Sequence, residues 1–115
     1  MRRFRAFRYA FAGLNHMVRT QFNFRVELAI GIVVVAAGVW ARLERWEWAV
    51  LSVTIALVLG LEAINTAIED AVALASPNVD PRAKVAKDTA AAGVLIAAIA
   101  AVVVGVILFG PRLVP

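Results

Sequence analysis

Three long apolar stretches take up most of this chain and constrain its fold before any single residue is weighed. The first runs from about Leu28 to Ala41 and lengthens if it tilts or begins nearer Phe22; the second runs from Trp46 to about Ala75; the third spans Thr89 to Phe109. A helix crosses the hydrocarbon core with about 20 apolar residues, so each stretch is read as one membrane span. The expected spans are residues 26–43, 46–75 and 87–109, the last stopping at Gly110-Pro111. At helical rise the second would be roughly 45 Å long, so its end protrudes from the bilayer. With 63% of its 115 residues hydrophobic and a mean hydropathy of +0.84, a soluble globule would lack the polar surface to cover its core. The expected class is all-α: one membrane-embedded domain over 1–115, with an N-terminal surface helix over about 1–20 and three transmembrane helices.

Basic residues set the expected orientation. Arg2, Arg3, Arg5, Arg8, Arg19 and Arg25 crowd the N-terminal segment, and Arg82, Lys84 and Lys87 follow the second span. Arg42 and Arg45 are offset by Glu44 and Glu47, and the tail carries only Arg112. The positive-inside rule then puts the N-terminus and the 76–87 region in the cytoplasm and the C-terminus outside. Trp40, Trp46 and Trp48 surround the outer loop and read as headgroup anchors. Asn78-Val79-Asp80-Pro81 reads as a turn. Phe4, Phe7 and Phe11 form an aromatic stripe opposite much of the arginine charge, as suits a helix lying on an anionic leaflet. Lacking the apolar run and cleavage site of a secretory signal, this segment is expected to stay on the mature protein.

Cysteine is absent and His16 is the sole histidine. That removes thiolate nucleophiles and zinc-thiolate sites, and makes Ser-His triads and histidine-rich metal sites hard to assemble. His16 itself reads as an interfacial side chain. The chemistry must lie elsewhere, and the segment Glu62 to Glu69 supplies it.

Carboxylates and amides are costly where water is scarce, so such groups inside an apolar span mark a functional site. Glu62, Asn65 and Glu69 share one helix face, with Glu62 and Glu69 about 10 Å apart along the axis. One meets water near the membrane surface while the other sits deeper. Downstream, Lys87 and Asp88 open the third span, where Lys87 suits phosphate oxygens, Asp88 a cation or nucleotide group, and Glu69 a magnesium ion. The plainer alternatives are a basic helix start and polar groups that merely link packed helices. Neither glycine-rich phosphate cradle is present, so a nucleotide site would be built differently. A proton-coupled carrier using Glu62 as its intramembrane site, and a noncatalytic assembly subunit, are the competing classes.

The motifs ExxNTAIE over Glu62 to Glu69 and AKxAKDxAAAxVL over Ala83 to Leu95 together resemble the prokaryotic diacylglycerol kinase and undecaprenol kinase family. Tyr9 four residues before Gly13, the NFR segment at Asn23 to Arg25 and the three-span pattern extend the resemblance over nearly the whole chain. It implies a homotrimeric kinase of the bacterial cytoplasmic membrane that uses MgATP to phosphorylate a lipid alcohol at the cytoplasmic face. Nucleic acid has no place among the partners. By the same resemblance, Glu62 is the general base and contacts the lipid with Asn65. Glu69 is linked to magnesium and nucleotide, Lys87 and Asp88 form a nucleotide-binding pair, and Tyr9 and Arg2 contact the nucleotide. Gln21 stands where the family commonly has a second metal-linked glutamate, and Ala73 replaces a common aspartate. A neutral amide oxygen still ligates magnesium, with less charge stabilisation. Glu27, six residues beyond Gln21, is not given the metal role. NFR, Glu47-Trp48 and ExxNTAIE look closer to the undecaprenol kinase branch, so undecaprenol is favoured over diacylglycerol.

Overall fold

The computed structural model describes residues 2–114 as four helices: α1 Arg2–Thr20, α2 Phe22–Ala41, α3 Arg45–Ala75 and α4 Pro81–Leu113. Met1 and Pro115, the ends of the expected domain, lie outside the described residues. Helices α2, α3 and α4 are each long and apolar enough to cross a membrane. The all-α expectation therefore holds, with one helix ahead of three spans.

Each junction has a local cause. Gln21 adopts an extended backbone between α1 and α2. There Arg25 Nη1 donates to the carbonyls of Val18 at 3.0 Å and Arg19 at 3.1 Å. These are last-turn carbonyls of α1 that have no partner within the helix, so one arginine counted above as a topology signal closes the helix end. Met17 and Phe24 are buried at the same joint.

Between α2 and α3 the chain reverses in three residues. Arg42 takes φ 56°, the left-handed region, and its N–H and that of Leu43 return to the Gly38 and Val39 carbonyls. This ends α2 at Ala41, so residues 42–43 of the expected first span form the turn, while the helix itself begins earlier, at Phe22. Helix α3 then opens with a capping box. The Glu44 N–H donates to Glu47 Oε1 at 3.0 Å, and the Glu44 side chain takes the reciprocal bond from the Glu47 backbone.

Asp80 caps α4, its Oδ1 accepting from the Arg82 N–H at 2.9 Å, and Pro81 sits at the first helical position, where its missing N–H costs nothing. That backbone bond, followed by the Arg82 guanidinium, holds the Asp80 carboxyl below its usual range. The other end corrects an expectation, because α4 does not stop at Gly110-Pro111 but continues to Leu113. Near a helix end a proline removes only its own N–H bond. Arg112 Nη1 donates to the Leu108 carbonyl, and the Val114 N–H reaches the Gly110 carbonyl at 3.3 Å.

The packed core sits at the end where α2 finishes. Leu43, Leu51 and Leu108 form its buried centre, with Val34, Trp48, Ile55, Val104 and Phe109 around them. Of the three tryptophans, Trp40 and Trp46 are exposed as anchors should be, but Trp48 turns inward onto Gly38. Only a residue without a Cβ lets the indole approach so closely.

Candidate active site

At the opposite half of the bundle, α3 buries its polar face. Glu62, Asn65 and Thr66 are all less than a tenth exposed, whereas Glu69, two turns on from Glu62, is half-buried. Within the chain Glu69 is thus the more exposed of the two acids. Asn65 Nδ2 donates to Glu69 Oε1 at 3.2 Å, tying the amide to the shallower acid, and Thr66 Oγ1 donates to the Glu62 carbonyl at 3.0 Å. Asn65 Oδ1 is buried without a partner among the described residues.

Glu27 of α2 joins this group. Its carboxylate lies near enough to Glu62 to repel it, and its Oε2 is likewise buried without a partner among the described residues. The sequence reading left Glu27 without a role. The available signal was its position as the single acid in the first apolar span, where an ionisable residue calls for a function. Glu27 also borders a cavity of about 410 Å³ between α2, α3 and α4, walled by Gly31, Ile55, Leu59, Ala98 and Val102. Apart from Glu27, Thr54 is its only polar lining residue among those described. An apolar chain fits that lining, and Glu27 stands at its polar edge.

The remaining expected site residues make no hydrogen bond to this group among the described residues. Arg2 and Tyr9 are exposed on α1, and Gln21 is half-buried in the α1–α2 turn, its amide nitrogen 3.5 Å from Thr20 Oγ1. Lys87 and Asp88 are exposed on the first turns of α4. Asp88 accepts from Lys84 Nζ at 2.6 Å, since residues four apart on a helix lie side by side while neighbours such as Lys87 and Asp88 point about 100° apart. No hydrogen bond among the described residues links Arg2, Tyr9, Lys87 or Asp88 to Glu62, Asn65 or Glu69.

No cluster of three or more metal-ligating His, Asp or Glu side chains occurs among the described residues. Magnesium carried by a nucleotide needs one or two carboxylates beside the phosphates rather than a protein cage. Glu69 could supply one such carboxylate, since its one amide bond leaves it most of its lone pairs.

This arrangement of a buried acid face, an adjoining apolar cavity and a basic helix start coincides with a sequence match. Residues 8–109 match the family described as prokaryotic diacylglycerol kinase. The chain belongs to that family. Over 109 residues it is 46% identical to the diacylglycerol kinase of Synechocystis sp., a match that covers 94% of this chain and 62% of that protein. Over 110 residues it is 35% identical to the undecaprenol kinase of Bacillus subtilis, covering 96% of this chain and 89% of that protein. The chain thus spans less than two thirds of the length of the Synechocystis relative. As a member of the prokaryotic diacylglycerol kinase family it carries Glu62, Asn65 and Glu69 of α3, and Gln21 of the α1–α2 turn, within the matched range.

Proposed function

We propose that this protein transfers the terminal phosphoryl group of MgATP to the hydroxyl of a membrane lipid alcohol, at the cytoplasmic face of the bacterial cytoplasmic membrane. The observation that carries the reading is the buried Glu62–Asn65 face beside an apolar cavity large enough for part of a lipid chain. Such a site brings a hydroxyl at the membrane interface to a base that water reaches poorly, which is what alcohol phosphorylation requires.

Glu62 accepts the hydroxyl proton as the lipid oxygen attacks phosphorus, and Asn65 orients the hydroxyl with its unpartnered Oδ1. Glu69, with Gln21 as a neutral helper, would hold a magnesium ion, which would supply charge compensation for the nucleotide phosphates. Lys87 meets phosphate oxygens, Asp88 a nucleotide hydroxyl or cation, and Arg2 and Tyr9 contact the nucleotide from α1. A homotrimer, which the family resemblance implies, accords with this reading. The N-terminus and the α3–α4 turn face the cytoplasm, in keeping with their excess of arginine and lysine. Undecaprenol is the favoured acceptor, and diacylglycerol the alternative.

The test is a side-by-side assay of the full chain in one bilayer system, with undecaprenol and diacylglycerol as acceptors and ATP as donor. The expected result is ATP consumption that requires lipid alcohol and yields its phosphate ester, fastest with undecaprenol. Absence of lipid-dependent ATP consumption in a folded preparation rejects the kinase reading and favours a carrier built on Glu62.

A further inference from the structure

Two buried acceptor atoms stand without a donor among the described residues, Glu27 Oε2 on α2 and Asn65 Oδ1 on α3. Both belong to the surroundings of Glu62. The Glu27 and Glu62 carboxylates are close enough to repel each other, and Asn65 lies three residues beyond Glu62 on the same face of α3. Asn65 and Glu62 are 8% and 6% exposed, so water offers little relief to either. The ion pairs of the described chain lie elsewhere: Arg82–Asp80, Lys84–Asp88 and Arg112–Glu47. This corner therefore has carboxylate charge and spare acceptors but, among the described residues, no paired cation. The apolar cavity opens from it. Val58 and Leu59, one turn before Glu62, line that cavity together with Glu27, and Leu51 lies farthest from Glu62 along α3. Thr54 donates its hydroxyl to the Val50 carbonyl at 2.7 Å, which leaves Glu27 as the unsatisfied polar group of the lining among the described residues. From Leu51 to Glu62 the helix rises roughly 16 Å, about the length of an extended dodecyl chain.

We infer that this corner binds the ammonium head of a single-chain primary amine, with the alkyl chain in the cavity. Charge complementarity selects this occupant. An ammonium brings a positive charge to two carboxylates that repel each other, and three N–H donors for Glu27 Oε2, Asn65 Oδ1 and the Glu62 carboxylate. A lipid alcohol brings one donor and no charge, so it leaves some of these buried acceptors unmatched. The protonated nitrogen has no lone pair with which to attack phosphorus, so the amine fills the place of the acceptor lipid without being phosphorylated. Competition with the lipid alcohol rests on the kinase reading above; binding of the amine does not.

The test uses the full chain carrying Trp40→Phe and Trp46→Phe, which leaves Trp48 as the sole tryptophan, packed in the cluster that holds Leu51 and Phe109. Three dodecyl probes brominated at the chain end are compared at equal content in phosphatidylcholine bilayers: the primary amine, the trimethylammonium compound and the alcohol. The trimethylammonium probe has the same charge and chain as the amine but no N–H donor. The amine should quench Trp48 at roughly a tenth to a hundredth of the content the other two require, the worth of a charge-assisted hydrogen bond. Glu27→Gln and, separately, Asn65→Leu should each raise that requirement about fivefold or more. Equal quenching by amine and trimethylammonium overturns the proposal, because charge alone then draws both to the protein. Equal quenching by amine and alcohol overturns it too, as does quenching that neither variant alters. The comparison of the three probes needs neither variant, so it decides the matter even where a substitution unfolds the chain. In the same bilayers the amine should inhibit lipid phosphorylation in competition with the lipid alcohol and remain unphosphorylated itself. Selective quenching by the amine in a folded protein that phosphorylates no lipid supports the amine site and counts against the kinase reading alone.

Discussion

Arg112, near the end of α4, grips Glu47, in the first turn of α3, with two hydrogen bonds of 2.9 Å and 2.8 Å. A third bond, from its Nε to the Ala41 carbonyl at 3.2 Å, reaches the last turn of α2. One side chain thus ties three helices at one end of the bundle. The planar guanidinium fork matches the carboxylate in a way an ammonium does not.

Arg112→Met should lower the midpoint of thermal unfolding in mixed micelles more than Arg45→Met, which removes an exposed charge of the same sign nearby. Arg112→Lys should recover only part of the loss, since lysine lacks the fork. Equal midpoints for the two methionine variants would mean that the clasp contributes nothing measurable.

Gly38→Ala tests the inward turn of Trp48. An added Cβ would stand 2.7 Å from Trp48 Cη2 and 3.0 Å from Leu43 Cδ1, and forcing such neighbours apart costs about 1–3 kcal/mol. Combining it with Trp48→Leu should cost less than the sum of the two single changes, because the clash is gone. Unfolding free energies of the four proteins check this, and strict additivity would show that the contact is not the cause.

Glu62→Gln keeps size and much of the hydrogen bonding but cannot take a proton, whereas Glu62→Asp keeps a base about one methylene short. Turnover in the Gln variant should fall by about a hundredfold to ten-thousandfold, roughly 3–5 kcal/mol of transition-state stabilisation. The Asp variant should retain more. Equal turnover by wild type and Gln in folded protein would remove Glu62 as the base and point to a phosphate oxygen as proton acceptor.

Glu69→Gln should cut lipid phosphorylation by about a hundredfold or more if its charge serves the magnesium, with a higher magnesium requirement and an unchanged oligomer. Near-normal activity across a magnesium titration would refute that role.

Lys87→Met should raise the KM for ATP by roughly tenfold to a hundredfold, the value of one charge-assisted hydrogen bond to phosphate. Lys84→Met removes only the exposed pair with Asp88, and exposed pairs contribute little, so its KM should move far less. The reverse order would make Lys84 the nucleotide-binding lysine.

What the sequence determined by itself was periodic, compositional or motif-borne. Apolar stretches of spanning length specify three membrane helices, because a bilayer leaves few other ways to satisfy a backbone, and the 3.6-residue turn alone puts Glu62, Asn65 and Glu69 on one face. The motif pair was enough to indicate the family. What only tertiary structure decided were pairings between residues distant in the chain. Glu47 was read as balancing the charge of nearby Arg42 and Arg45, and Arg112 as a tail charge, yet the two meet across 65 positions. Trp48 looked like its exposed neighbours until a glycine on α2 admitted its ring. Glu27 had no motif to mark it, and its nearness to Glu62 depends on how α2 leans on α3. Helix periodicity is local and repeats in the sequence, whereas which face of one helix meets which face of another depends on the shape of both.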